Sequence, residues 1–482
     1  MNVDECYGSN HKPRTLKPAM RYTQLTDEHV KDMLGAIGVR TIEDLFSTIP
    51  TGLRLKRDLA IPKGVSEPQM LADASALAAR NADGAKLTCF LGGGSYDHFI
   101  PGLVDALAMQ SEFLTAYTPY QAEASQGTLQ AFFEFQTMVC QLTGMEVANA
   151  SLYEGATAAA EAVIIALNAT GRSRVLVADN VHPDTRRVLA TYGEHRGFNV
   201  SPLPCRDGVV DESGLQRFLG EPRASAGAAS PSSDVAAVLV QSPNFYGCVE
   251  RLDRILPLIQ ASGALAIVST DPLASGLLKS PGALGADIVV GEGQPLGVPM
   301  QYGGPYLGFM ATREEHLRRM PGRLVGMTKD REGRRGFCLT LQTREQHIKR
   351  ERATSNICTN QGLLAMRAAV YMATLGKRGV AEVASQCFDK AHYAAERIAA
   401  VPGFKLRYAV PFFKEFVVQS QKDVNTVLAA CRAKGILAGA PLSRLDPASS
   451  AANELKNCFL TAVTEKRTKQ EIDALVEALR ST

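Results

Sequence analysis

The sequence predicts an α/β protein with a large, mostly parallel sheet domain followed by a smaller C-terminal α/β domain. Two observations carry this prediction. Between residues 174 and 290, short apolar runs alternate with helical stretches, a pattern that packs into a parallel sheet covered on both faces. Beyond residue 360 the rhythm changes to two long apolar helices and then shorter strand and helix segments. A chain of 482 residues is also too long for one small core. The expected layout is a helical arm over 1–60, a large domain over 61–330, and a connecting helix with the small domain over 331–482.

The elements follow in order. Residues 1–18 are polar and patternless, and Met20 offers a second candidate start. DEHVKDMLGAIGV and TIEDLFSTI read as two short helices with Thr26 and Thr41 as N-caps, the second broken by Pro50 and Gly52. Ala131, Phe132, Phe135, Met138, Val139 and Leu142 recur at helical spacing, and 156–167 is a second apolar helix. RVLVAD is a buried strand, DTRRVLATYGEH a helix and FNVSPLP a strand. The Ala/Ser/Pro/Gly-rich stretch over 220–234 is a surface loop. VAAVLVQS, ALAIVSTD and ADIVVGE are strands, with the helix LDRILPLIQASG after the first. In the tail, Gln361–Leu375 and VAEVASQCFDKAHYAAERIAAV are helices. KEFVVQS and NCFLTAV are strands, each followed by a helix.

Composition excludes several classes. Lys+Arg 52 against Asp+Glu 49 gives a net charge of +3, which offers no basic surface for nucleic acid or an anionic membrane. None of the ten cysteines forms a C-x-x-C pair and no Cys/His cluster has zinc spacing, so no metal is expected. They read as buried thiols in a reducing compartment. No apolar run approaches the ~18–20 residues that span a bilayer. No signal peptide is visible, and the cytoplasm is the expected location.

Several short segments could carry chemistry. In Tyr153-Glu154-Gly155-Ala156-Thr157 a small-residue turn opens a helix, so free backbone N–H groups could face an anion; an ordinary helix start explains the same residues. Asp271 follows the strand ALAIVS, and His182 follows RVLVAD. Both lie at the carboxyl ends of strands, where open parallel sheets bind ligands. Asp271 could pair with a pyridinium nitrogen or simply cap the next helix. The loop after ADIVVGE, ending in Gly303-Gly304-Pro305, permits close backbone approach. The charged stretch over 343–352, with Arg344 and His347, reads as a solvated helix face or as the lining of an interface, and Arg323 is a similar case.

Longer strings carry a family resemblance: MLGAIGVRTIEDLF, FLGGGSYDHFIP, AYTPYQAEASQGTLQAFFEFQTMVCQLTG, SLYEGATAAAEA, SPNFYGCVE, GADIVVGEGQPLGVPMQYGGP and LQTREQHIKRERATSNICTNQ. From Met20 onward the chain resembles the P-protein of the glycine cleavage system, in particular the N-terminal-type subunit of its two-subunit form. The resemblance implies fold-type I PLP-dependent transferase architecture, with pyridoxal phosphate (PLP) as the family's cofactor. It implies an oxidoreductase system in which glycine loses CO2 and its aminomethyl group passes to the lipoyl arm of H-protein. It matches Glu154, Gly155, Ala156 and Thr157 to the phosphate turn, His182 to the ring-stacking histidine and Asp271 to the pyridinium partner.

One residue departs from the pattern. Gln294 stands where the catalytic type has the PLP lysine, and an amide cannot form a Schiff base. Lys279 precedes the relevant strand, Lys329 lies beyond the loop, and no other lysine is expected at the mouth of the sheet. The resemblance therefore implies a non-catalytic chain in a heterotetramer, two copies each of this subunit and of a homologous PLP-bearing partner. PLP is expected in the partner, with none covalently bound here. Tyr96, His98, Tyr117, Tyr120 and Gln121 are expected to help complete the partner's site. Arg323, Arg344 and His347 are interface or H-protein docking candidates. The alternatives are a self-sufficient PLP decarboxylase or aminotransferase, and a purely structural scaffold.

Overall fold

A computed structural model describes residues 25–84, 86–114, 118–220, 234–358, 360–447 and 453–482. The alternative start at Met20, Tyr117 and nearly all of the 220–234 loop lie outside the described residues.

Residues up to Asn81 cluster as one unit. It contains α1 (Asp27–Ile37), 3-10 turns at Ile42–Phe46 and Thr51–Leu53, and α2 (Glu67–Ala78). Thr26 and Thr41 both close capping boxes, with His29 and Asp44 as the reciprocal partners. The segment after Thr41 is a 3-10 turn rather than an α-helix. None of its described residues is buried.

Residues 82–482 form the second unit. Its helices are α3 (Gly102–Ala108), α4 (Gln126–Thr143), α5 (Gly155–Thr170), α6 (Pro183–Arg196), α7 (Glu212–Gly220) and α8 (Leu252–Ala261), ahead of a long helical run. The main sheet has β1 (Val147–Ala148), β2 (Arg174–Ala178), β3 (Asn199–Leu203), β4 (Val235–Gln241), β5 (Leu265–Ser269), β6 (Ile288–Glu292) and β7 (Gly308–Thr312). The spatial order is β1-β7-β6-β5-β4-β2-β3. Neighbours from β6 through β3 are parallel, and β7 runs antiparallel to both β6 and β1. β4 is apolar without alternation because both of its faces are covered; residues Val235 to Val240 are all buried.

The long helical run is α9 (Gly362–Ala399), kinked at Gly376, whose φ of 60° and ψ of −179° suit only glycine. The kink separates the two helices that the sequence predicts. Ala365, Ala368 and Tyr371 pack into the large core. Ala391, Ala394 and Ile398 pack into a second core with the small domain. That domain holds β8 (Phe404–Leu406), β9 (Glu415–Ser420), β10 (Ala440–Pro441) and β11 (Cys458–Ala462), an antiparallel sheet in the order β8-β9-β11-β10. Helices α10 (Val424–Ala433) and α11 (Lys469–Arg480) accompany it.

The charged 343–352 stretch is not one helix. It breaks into a 3-10 turn at Gln342–Arg344, a single helical turn at Gln346–Lys349 and a 3-10 turn at Arg350–Arg352. Leu341 and Arg350 adopt positive φ at its breaks, and Glu345 points into the protein. Ion pairing with Arg323, not helical spacing, decides this segment. Among the described residues no helix is long and apolar enough to cross a membrane.

Candidate active-site cavity

The carboxyl ends of β2, β4, β5 and β6 share one edge of the main sheet, which is the ligand-binding edge of an open parallel sheet. A cavity of about 260 Å³ opens there. Its walls include the start of α5 at Glu154–Ala156, His182 and Asp271. The Gly93–Tyr96 loop and the Phe413–Glu415 segment of the small domain close it. Gln294 lies buried behind the Tyr96 loop. Sequence positions more than a hundred residues apart thus converge as expected.

Lys414 enters where no lysine was expected. Its side chain is buried, and its Nζ lies 2.6 Å from Asp271 Oδ2. The same ammonium lies 2.9 Å from His98 Nε2 and 3.8 Å from the centre of the Tyr96 ring. Burial, reinforced by the Lys414 charge, holds the His98 pKa below its ordinary value. Neutral His98 then accepts from Lys414 at Nε2 and donates from Nδ1 to Glu465 Oε2 at 2.7 Å. Asp271 also caps the next 3-10 helix, its Oδ1 accepting from the Leu273 N–H at 2.9 Å. The cap reading of Asp271 is therefore present, and the carboxylate expected to meet a pyridinium nitrogen is ion-paired with this chain's own Lys414.

Gln294 is buried and fully engaged. Its Oε1 accepts from the Tyr96 N–H at 2.9 Å, and its Nε2 donates to Tyr96 O at 3.0 Å and Val298 O at 2.8 Å. Tyr96 in turn donates its hydroxyl to Glu415 Oε2 at 2.9 Å. Tyr96 and His98 therefore direct their polar groups into this chain's own cavity and small domain. Phe99, next in the loop, is the outward-facing residue, 59% exposed.

At the start of α5 two of the backbone donors are already taken. The Gly155 N–H donates to Glu292 Oε2 at 3.0 Å, and the Thr157 N–H donates to Glu154 Oε1 at 3.0 Å. Thr157 Oγ1 also donates to Glu154 Oε1. Glu292 Oε1 accepts from the Gln294 and Leu307 N–H groups. His182 is likewise committed: Nε2 donates to Gly93 O at 2.8 Å and Nδ1 accepts from the Asp184 N–H at 3.1 Å. Burial lowers its pKa, which favours this neutral form. Its ring meets Phe245 edge-on at 5.1 Å.

Burial pushes the pKa of Glu415 up to about 7, against the opposing pull of the Gly93 N–H, the Tyr96 hydroxyl and Lys414. The folded chain holds this proton more tightly than the unfolded chain. The resulting stability is fully present below pH 4.5 and is lost as pH rises through about 7. Glu415→Gln is expected to reduce the fall in unfolding free energy between pH 5 and pH 8 by roughly 2 kcal/mol. Urea titrations at the two pH values measure this, and an unchanged difference contradicts it.

The remaining candidates form a separate group. Arg323 is buried, ion-paired with Glu345, and donates to the Tyr120 hydroxyl. His347 meets the Tyr120 ring edge-on at 5.6 Å. Arg344 donates to the carbonyls of Met320 and Gly322. Burial, with the neighbouring Arg323 charge, lowers its pKa to about 10. Gln121 is exposed. Elsewhere His98, Cys387 and Glu465 lie within 4.8 Å of one another, a spacing that could hold a metal ion. Their atoms are already joined by hydrogen bonds, and the Lys414 ammonium stands beside them.

Comparison with known proteins resolves the family. The sequence model of the glycine cleavage system P-protein family matches residues 20–479. The chain belongs to the glycine cleavage system P-protein family. A relative from Prosthecochloris aestuarii, named probable glycine dehydrogenase (decarboxylating) subunit 1, is 50% identical over 461 residues, covering 95% of this chain and 99% of the relative. A protein of the same name from Moorella thermoacetica is 48% identical over 461 residues, covering 96% and 99%. A crystal structure of glycine decarboxylase (P-protein) of the glycine cleavage system, in inhibitor-bound form, is 44% identical with a TM-score of 0.84, covering 96% of this chain and 100% of that one. The expected fold-type I PLP-dependent architecture is therefore the architecture of this P-protein family chain.

That fold implies PLP, and the residues of this cavity do not fit it. The turn matched to the phosphate site is lined by Glu154 and Glu292, whose oxygens already take the Gly155 and Thr157 N–H groups. At the pyridine end, the carboxylate that would pair with the ring nitrogen already holds Lys414. No lysine stands at 294 to attach the aldehyde. The sequence reading missed Lys414, Glu415 and Glu292. A Lys-Glu pair inside the apolar run FFKEFVV was the available signal for the first two. Glu292 sits at a strand's carboxyl end, just as Asp271 follows one.

Proposed function

We propose that this chain is the non-catalytic subunit of a two-subunit P-protein. With a homologous PLP-bearing partner, two of each, it decarboxylates glycine and passes the aminomethyl group to the lipoyl arm of H-protein. The cytoplasm is its proposed location. The observation that carries the reading is Gln294, an amide locked to the Tyr96 backbone where attachment of PLP needs a free amine.

Exposed apolar side chains support a partner subunit. Phe99, Leu103, Met109, Leu114 and Tyr302 are all exposed, Tyr302 at 88%. Tyr120 and Gln121 carry the contribution to the partner's site, and Arg323 with Glu345 fixes Tyr120 from behind. Arg344 and His347 belong to the same surface, which serves the partner or H-protein.

Co-expression with the partner provides the test. Glycine–CO2 exchange is expected from the pair and from neither a PLP-free mixture nor this chain alone. Exchange by this chain alone, or borohydride fixation of PLP on Lys414, would establish a self-sufficient enzyme instead. Full exchange by the partner without this chain would leave only a scaffold role.

A further inference from the structure

We propose that this cavity rejects PLP through charges of its own, so that restoring a lysine at position 294 does not by itself restore cofactor binding. The proposal rests on assigning this chain as a non-catalytic subunit and goes beyond it. Loss of the lysine removes only the covalent link. A phosphorylated pyridine is also held by an anion site for its phosphate and a carboxylate for its ring nitrogen. Both are present here as geometry, and both are already neutralised from within.

At the pyridine end, Lys414 Nζ occupies Asp271 Oδ2 at 2.6 Å. A pyridinium brought there meets a buried cation instead of an unpaired carboxylate. The ammonium cannot easily swing aside, because His98 Nε2 and the Tyr96 ring hold it on its other sides. At the phosphate end, Glu292 and Glu154 take the Gly155 and Thr157 N–H groups and present carboxylate oxygens in their place. Burial raises the Glu292 pKa to about 7, so the repulsion of a dianionic phosphate comes chiefly from Glu154, while both side chains occupy the N–H groups it would use. About 260 Å³ of space remains, so charge rather than volume is the barrier.

The test uses the full-length chain with PLP itself as the probe, retention being read by equilibrium dialysis and by absorbance. The native chain and Gln294→Lys are both expected to retain none at micromolar PLP. Gln294→Lys combined with Lys414→Ala is expected to bind on the order of 100-fold more tightly than Gln294→Lys alone, the effect of removing one buried like-charge contact. Equal binding by Gln294→Lys with and without Lys414 overturns the proposal, as does a combined variant that is folded by circular dichroism and gains nothing.

A second, isosteric set guards against misfolding. Glu154→Gln with Glu292→Gln in the Gln294→Lys background is expected to bind inorganic phosphate about 10-fold more tightly, and no gain overturns the proposal. PLP retained by the native chain without glycine–CO2 exchange overturns this proposal and leaves the subunit assignment standing. Exchange by the chain alone overturns that assignment instead.

Discussion

Replacing Lys414 with alanine is expected to lower the unfolding free energy of this chain by about 3–5 kcal/mol near neutral pH. The size follows from what the substitution leaves behind. Lys414 has 2% of its side chain exposed and Asp271 has 12%, so the surviving carboxylate stays in a poorly solvated place with no cation. His98 Nε2 loses its donor at the same time. Removing both members of the pair removes the penalty of a lone charge, so Lys414→Ala with Asp271→Asn is expected to recover more than half of the loss. Urea unfolding of the native chain, both single variants and the double variant completes the cycle. A Lys414→Ala loss below about 1 kcal/mol would place the pair among weak surface bridges and contradict its burial.

Gly247→Ala is expected to be comparably damaging, by several kcal/mol. Gly247 has a φ of 83°, where a side chain is strained. A Cβ there would also overlap the main-chain carbonyl of Glu415, which has no flexible end to move aside. This glycine lies where the large domain meets the small one. The Phe413 N–H donates to Gly247 O at 3.2 Å and the Val249 N–H to Pro411 O at 2.8 Å. The expected result is a lower melting temperature together with faster proteolysis around 411–415. Retention of the native melting temperature would show that the two domains have room to separate by a small shift.

Much of the fold was legible because its strands are short, apolar and spaced by helices. β2, β4, β5 and β6 all coincide with apolar runs. The kink at Gly376 agrees with two separate helical patterns. The hairpin of Val325–Lys329 with Arg335–Leu339 was not anticipated, since its register is set by pairing across a turn rather than by a long apolar run. The 343–352 stretch misled for a related reason: Glu345 pairs with Arg323, over twenty positions away in sequence.

In the cavity, residues at strand ends could be placed because the edge of a parallel sheet is a geometric rule. What they touch could not. Lys414 lies 143 positions from Asp271 in sequence and on a different domain, and no periodicity links them. Tyr96 and His98, expected to help complete the partner's site, both contact Lys414 of the small domain, a neighbour that sequence spacing does not reveal.

Gln294 also acts as a substitute peptide within the loop. Its amide both accepts from and donates to the Tyr96 backbone, as a neighbouring peptide would. A lysine has donors only, so a return to lysine strands the Tyr96 N–H without its acceptor. Gln294→Lys thus gives up a buried hydrogen bond and leaves Lys414 seated on Asp271. The Gln294 amide and the Lys414–Asp271 pair are therefore two separate locks, and a single substitution at 294 opens neither without loss.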